Sequence, residues 1–310
     1  MKTRMLGKSG LIVSEIGFGS WAIGGVAFRG GVPSGWAGAQ MRTSISTIER
    51  AWQSGITFFD TADAYGRGKS EVLLGLGLHD HSAQAVIASK VGMSLAAPGQ
   101  NFSEPYIRGA LDASLTRLER AYLDLYLLHC PALGAMSREL FDLMRAIKDS
   151  GKIRAWGVSV FRAEEALKAI EGGAEAVQIV YSVIEQDIGN AVFPMARERG
   201  VGIIVREALA SGWLTGKFDA STCFPPDDQR SRKFPPARIA EFASKISQLG
   251  FLAEECGSMS EGALRFVLSE PAVSTVIVGC KSPGQVDANV AAAGRTLSEA
   301  SLRKARSLFN

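Results

Sequence analysis

The sequence predicts a single (β/α)8 barrel spanning residues 1–310, in which parallel strands alternate with helices. Three observations predict it. Short apolar, β-branched runs recur at fairly regular intervals. Amphipathic helical patterns lie between them. Several of the runs are almost continuously hydrophobic, as strands buried on both faces are. The length suits one large domain of this class, and no linker, repeat or low-complexity tract divides it.

Taken in order, residues 1–14 (MKTRMLGKSGLIVS) read as two short strands around Gly7-Lys8-Ser9-Gly10, a hairpin placed to plug the bottom of the barrel. SEIGFG (14–19) opens the strand series. ITFFD (56–60), AVIASK (85–90), DLYLLH (124–129), RAWGVS (154–159), AVQIVYS (176–182), GIIVR (202–206) and TVIVG (275–279) continue it. Residues 103–119 carry Ile107, Leu111, Leu115 and Leu118 at helical spacings, and Ser103 with Pro105 marks a helix start. Residues 136–149 and 162–171 repeat the pattern. After the seventh strand, residues 207–235 form a long loop rich in Gly, Pro and charge, a length that marks a functional or disordered segment.

Composition bounds the function. Hydrophobic residues make up 46% of the chain, enough for a sizeable core, and a formal charge of +3 argues against a nucleic-acid or membrane-surface partner. Cys130, Cys223, Cys256 and Cys280 match no CxxC or zinc spacing and read as free thiols of a reducing compartment. The N-terminus lacks the apolar core of a signal peptide, and no segment approaches the roughly 18 apolar residues of a membrane span. A cytoplasmic location is therefore expected. His79 and His81 read as surface residues without a third metal ligand, so no metal is expected, and Asp227-Asp228 reads as a solvated pair. Oligomeric state is not legible.

Barrel active sites lie at the C-terminal ends of the strands. Here successive strands end on Asp60, Lys90 and His129, then on Ser159; the sixth carries Gln178 and the seventh ends on Arg206. Tyr65 follows Asp60 closely, in DTADAYG, and can curl over the same mouth. A phenol with a pKa near 10 is a weak acid at neutral pH. Lys90 as a neighbouring ammonium would lower that value, Asp60 would hold Lys90, and His129 would contact the same oxygen or the substrate's. The set reads as a tuned general acid; in a carbonyl reduction it would protonate the oxygen as hydride reaches the carbon.

At these residues the chain resembles the aldo-keto reductase family over essentially its whole length. The resemblance is carried by RMLGKSGLIVS, FDTADAYG with the following SE and Gly75, SKVG, LLH, GVS, VQ, LASGWLTGK and VGCKSPGQVDAN. It implies a (β/α)8 barrel, a catalytic set of Asp60, Tyr65, Lys90 and His129, and a small-molecule carbonyl or alcohol substrate. It also implies NADPH, bound extended without a Rossmann fold. Consistently, GFGSWAIGG (17–25) is Gly-rich but is not spaced as GxGxxG.

By the same resemblance, Gly19, Ser20 and Trp21 would lie beside the nicotinamide and substrate, with Asp60 close by. Ser159 and Gln178 would hold the carboxamide. Val160 stands where Asn is common, removing one hydrogen bond. Arg206 stands where many members place an aromatic ring on the nicotinamide, and Ala208-Leu209 replaces Pro-Leu. Glu207, Leu209, Ala210, Gly212 and Lys217 would line the pyrophosphate, and the long loop would form a belt joined by Arg230 or Arg232. Gly279, Lys281, Ser282, Gln285 and Asn289, at a helix start that suits an anion, would hold the 2′-phosphate and adenine and favour NADPH over NADH. Trp21, Tyr65, His129 and Cys130, with Trp36 and Phe161, would border the substrate. Two other readings stay open: a cofactor-binding regulatory subunit of the same fold with little turnover, and a Schiff-base lyase using Lys90. Substrate identity and direction are not legible.

Overall fold

A computed structural model describes residues 1–29, 32–93, 99–226 and 228–309. The strands are β1 (Thr3–Met5), β2 (Ile12–Ser14), β3 (Ile16–Gly19), β4 (Ala27–Arg29), β5 (Val32–Ser34), β6 (Phe58–Asp60), β7 (Val86–Val91), β8 (Leu123–His129), β9 (Ile153–Ser159), β10 (Ala176–Val180), β11 (Gly202–Arg206) and β12 (Val273–Gly279). Eight of them, β3 and β6 to β12, close into one parallel barrel. The apolar runs all become barrel strands, some trimmed: in ITFFD the ladder begins only at Phe58, opposite Val86.

The helices are α1 (Met41–Gln53), α2 (Lys69–Gly77), α3 (Glu104–Leu118), α4 (Arg138–Asp149), α5 (Ala163–Glu171), α6 (Asp187–Arg199), α7 (Arg230–Lys233), α8 (Pro236–Ser247), α9 (Gly250–Cys256), α10 (Met259–Leu268), α11 (Pro283–Val290) and α12 (Glu299–Leu308). α3 buries Ile107, Leu111, Leu115 and Leu118, the stripe its spacing predicts. Ser137 caps α4 by accepting from Leu140 N–H.

The N-terminal hairpin plugs the barrel floor. β1 and β2 pair antiparallel, and Leu6, Leu11 and Val13 pack against the inward residues Phe58, Leu125, Leu127, Ile204 and Ile277. Gly7 makes this possible. Its φ is +53°, and a Cβ there would sit 2.2 Å from the backbone nitrogen of Gly202.

Two features depart from the sequence reading. A second hairpin, β4 with β5, rises after the first barrel strand; three-residue strands flanked by glycines leave little pattern to read. The loop 207–235 is also more ordered than its composition suggests. It holds a 3-10 helix (Ala210–Thr215) and α7, and its phenylalanines anchor it: Trp213 packs against Phe218, Phe224 and Phe234, with Phe242 from α8. Among the described residues no helix is long and apolar enough to cross a membrane.

Candidate active site

Strand register gathers the polar strand ends at one mouth. Gly279 pairs with Gly19, and Gly19 with Asp60. On the other side His129 pairs with Ser159, and Ser159 with Gln178. A one-residue slip in any of these pairs would turn the side chain from the barrel interior to the helix layer.

Lys90 is fully buried, and its ammonium has three acceptors. Nζ donates to Asp60 Oδ1 at 2.5 Å, to the Thr61 carbonyl at 2.8 Å and to Tyr65 Oη at 3.1 Å. Asp60 Oδ2 accepts from Gln178 Nε2 at 2.7 Å, and Gln178 Oε1 accepts from Ser159 Oγ at 3.0 Å. One hydrogen-bonded chain therefore runs from Ser159 to Tyr65. The His129 ring meets the Tyr65 ring edge-on, with centroids 5.8 Å apart. The four residues predicted as a set are thus together, and Gln178 joins them.

The electrostatics correct one expectation. Burial weakens the charge of Lys90, but Asp60 and Tyr65 more than restore it and hold the ammonium above the ordinary lysine value. Tyr65 is not made more acidic. Burial raises its phenol, and Lys90, which pulls the other way, is offset by Asp60, so the net shift is upward. Tyr65 therefore carries its proton at neutral pH. A charged, enclosed Lys90 is also a poor nucleophile, which argues against the Schiff-base reading.

Tyr65 and His129 open on a cavity of about 490 Å³. Of the residues expected at a cofactor or substrate, Gly19, Trp21, Asp60, Cys130, Ser159, Gln178, Arg206, Glu207, Leu209, Gly212, Lys217, Gly279, Lys281, Gln285 and Asn289 line it, as do Trp36 and Phe161. Ser20 does not. Its side chain is buried, donating to the Asp60 carbonyl at 2.8 Å and accepting from Ser70 at 2.6 Å. Ala210 is buried behind the wall, and Ser282 begins α11 without lining the cavity. Of the two belt arginines, Arg230 lines the cavity, whereas Arg232 donates to the Pro33 carbonyl.

The wall fits a dinucleotide. Gly19 and Gly279 offer bare backbone in its lining, while Lys217 and Lys281 supply positive charge, with Arg230 beside them paired to Asp228. Nε of Arg206 is buried without a hydrogen-bond partner. Arg206 is held by the Val160 carbonyl at 2.9 Å and by the Phe161 ring, 4.5 Å from its guanidinium carbon. Val160 itself is fully buried and offers the wall no side-chain polar atom. Glu207, Ala210 and Ser211 adopt left-handed φ values of 59°, 48° and 56°, strain of a kind that clusters at ligand sites. Lys233 and Ser211 hold the half-buried Glu207 carboxyl below its ordinary range against the opposing effect of desolvation.

Other residues missed in the sequence also line the cavity, among them Met93, Ser211, Thr215 and Phe218. Asp228 is not a solvated residue: it grips Arg230 through both oxygens; Asp227 lies outside the described residues, as do residues 94–98 of the loop after β7. Burial lifts the Cys130 thiol, which stays protonated. The four cysteines are free, His79 is exposed while His81 stacks on Trp52, and no metal-holding cluster occurs among the described residues.

A profile of the Aldo/keto reductase family matches residues 15–309. The aldo-keto reductase YhdN of Bacillus subtilis (strain 168) is 32% identical, over 96% of this chain and 90% of its own. The NADH-specific methylglyoxal reductase of Escherichia coli (strain K12) is 29% identical, over 97% of this chain and 96% of its own. The glycerol dehydrogenase AKR11B4 from Gluconobacter oxydans superposes with a TM-score of 0.85 at 28% identity, covering 99% of this chain and 94% of that one.

Proposed function

The chain belongs to the aldo/keto reductase family, and from that premise we propose that it interconverts an aldehyde or ketone and its alcohol with NADP(H), Tyr65 carrying the proton. The observation that carries this reading is the buried Asp60–Lys90–Tyr65 set, whose free end opens on a cleft that fits a dinucleotide.

The nicotinamide, when bound, supplies or takes the hydride; everything else falls to the chain. Tyr65 Oη is the atom that gives the proton to the carbonyl oxygen. Lys90 donates a hydrogen bond to that same oxygen at 3.1 Å and stabilises the phenolate left behind. Asp60 keeps Lys90 charged and aimed. His129 orients the carbonyl. Ser159 and Gln178 would hold the carboxamide, Arg206 would pack beside the ring, and Glu207, Leu209, Gly212 and Lys217 would follow the pyrophosphate. Lys281, Gln285 and Asn289, with Arg230, would hold the adenine end and its 2′-phosphate.

The preference for NADPH rests on Lys281 and Arg230 at that end. The test is turnover on a carbonyl and alcohol panel, followed at the nicotinamide absorbance with NADPH and NADH side by side. Tyr65→Phe should keep cofactor binding and lose turnover. Normal turnover in Tyr65→Phe would overturn the assignment. Tight binding of NADPH with no turnover on the whole panel would favour the regulatory-subunit reading instead.

A further inference from the structure

Behind the loop that carries Tyr65 lies a second set of ionisable groups that proton transfer does not use. Asp63 is 1% exposed, and neither carboxyl oxygen has a hydrogen-bond partner of normal geometry. The adjacent backbone of Ala64 gives it weak help. Its own N–H donates to the Lys90 carbonyl at 3.3 Å, which ties it to β7. Glu71 on α2, Arg117 on α3 and Lys90 on β7 face it. So does Tyr126 on β8, whose hydroxyl is also buried and unpartnered; Tyr106 on α3 faces Tyr126 in turn.

The charges in this set are already matched. Arg117 Nε donates to Glu71 Oε2 at 2.6 Å, and Ser89 fills Glu71 Oε1 at 2.6 Å. Lys90 is matched by Asp60. An ionised Asp63 would be a further anion with no cation of its own. Burial, reinforced by Glu71, lifts its carboxyl to about 7, so it is largely neutral in weak acid and ionises in weak base.

We propose that Asp63 is a positioning residue that acts on Tyr65 through Lys90. Protonated, it leaves the Asp60–Lys90 pair balanced; ionised, it adds a negative charge to the buried set tied to β7 and makes the Tyr65 phenolate harder to form. The proposal rests on the reading of Tyr65 as the proton carrier. Its consequence is directional. Carbonyl reduction starts from a protonated Tyr65 in either state of Asp63. Alcohol oxidation needs Tyr65 as a proton acceptor, and an ionised Asp63 holds that direction back in weak base.

The test compares wild type with Asp63→Asn, which keeps the shape and abolishes the charge. The alkaline rise of kcat for alcohol oxidation should move to lower pH, with the reduction rate near neutrality changed much less. The phenolate of Tyr65, titrated in the ultraviolet without cofactor and corrected by Tyr65→Phe, should move in the same direction. Asp63→Glu should restore a wild-type profile in part. If Asp63→Asn folds poorly, wild type still decides: a carboxylic C=O band in the infrared should bleach between about pH 6 and 8. An unshifted profile and phenolate titration in folded Asp63→Asn, or no such band in wild type, overturns the proposal. That failure is distinct from normal turnover in Tyr65→Phe, which would remove the premise.

Discussion

Replacing Lys90 with methionine tests the core of the site, because the structure says what the change removes. The side chain is 0% exposed and gives three hydrogen bonds, one of them to a buried carboxylate at 2.5 Å. Methionine fills much of the volume but leaves the Asp60 carboxylate, among the described residues, with Gln178 alone as its side-chain partner. Breaking a buried pair from one side costs about 3–5 kcal/mol, because the remaining charge stays buried. Lys90→Met should therefore lower stability by that amount in denaturant titration. The double variant Lys90→Met/Asp60→Asn removes the stranded charge and should regain roughly half of the loss. Activity should not follow stability. The ammonium's hydrogen bond to Tyr65 Oη is charge-assisted, a class worth about 1.5–3 kcal/mol, so its loss should cut turnover roughly 10- to 150-fold. The double variant should regain none of that turnover. If it is as unstable as the single variant, Asp60 is not held as a charge by Lys90. If Lys90→Met keeps wild-type kcat, Lys90 does not act on Tyr65.

Three further outcomes follow from other parts of the molecule. Asp63 keeps its proton to about pH 7 when folded, against an ordinary carboxyl value of 3.8. The folded state thus binds more protons across that window, and stability falls as pH rises through it, by on the order of 4 kcal/mol in all. Asp63→Asn should flatten this fall in urea titrations taken across the range; an unchanged slope would mean that Asp63 is ionised throughout. Leu6→Ala opens the plugged floor and should cost about 2–5 kcal/mol in thermal or chemical unfolding while leaving KM unchanged, because the mouth lies at the other end. Lys281→Ala should raise KM for NADPH roughly tenfold or more and leave KM for NADH nearly unaltered, the loss of one charge-assisted contact to phosphate; equal effects on both cofactors would refute the placement of the 2′-phosphate.

The barrel was legible for a physical reason. Strands buried on both faces read as continuous apolar runs, and a run that stops on Asp60 or on His129 marks the end that meets the cavity, whereas β7 runs one residue past Lys90, to Val91, and keeps that lysine fully buried. What escaped is non-local or a balance of opposed terms. The Gln178–Asp60 hydrogen bond joins residues 118 positions apart and leaves no trace in either strand. Ser20 and Trp21 are neighbours in a 3-10 turn, yet one side chain is buried under the strand ends and the other lines the cavity; no pattern of period two or 3.6 separates them. The direction of the Tyr65 shift needed three magnitudes at once. The ammonium was visible in the sequence, but the depth of burial and the closeness of Asp60 were not.

The chain from Ser159 to Tyr65 also fixes its own orientation. The Asp60 carboxylate can only accept, and it takes Lys90 on one oxygen and Gln178 on the other. The Gln178 amide must therefore turn its NH2 toward Asp60 and its oxygen toward Ser159. That orientation leaves Gln178 Oε1, in a residue that lines the cavity, with capacity for a second donor. The group proposed to hold the carboxamide is thus oriented by the carboxylate that also holds Lys90 against Tyr65. Placement of the hydride end and of the proton donor are consequently one structural problem in this barrel. Val160 contributes no polar side chain to the wall, so on the proposed reading Gln178 and Ser159 would be the side chains that bring the two ends into register.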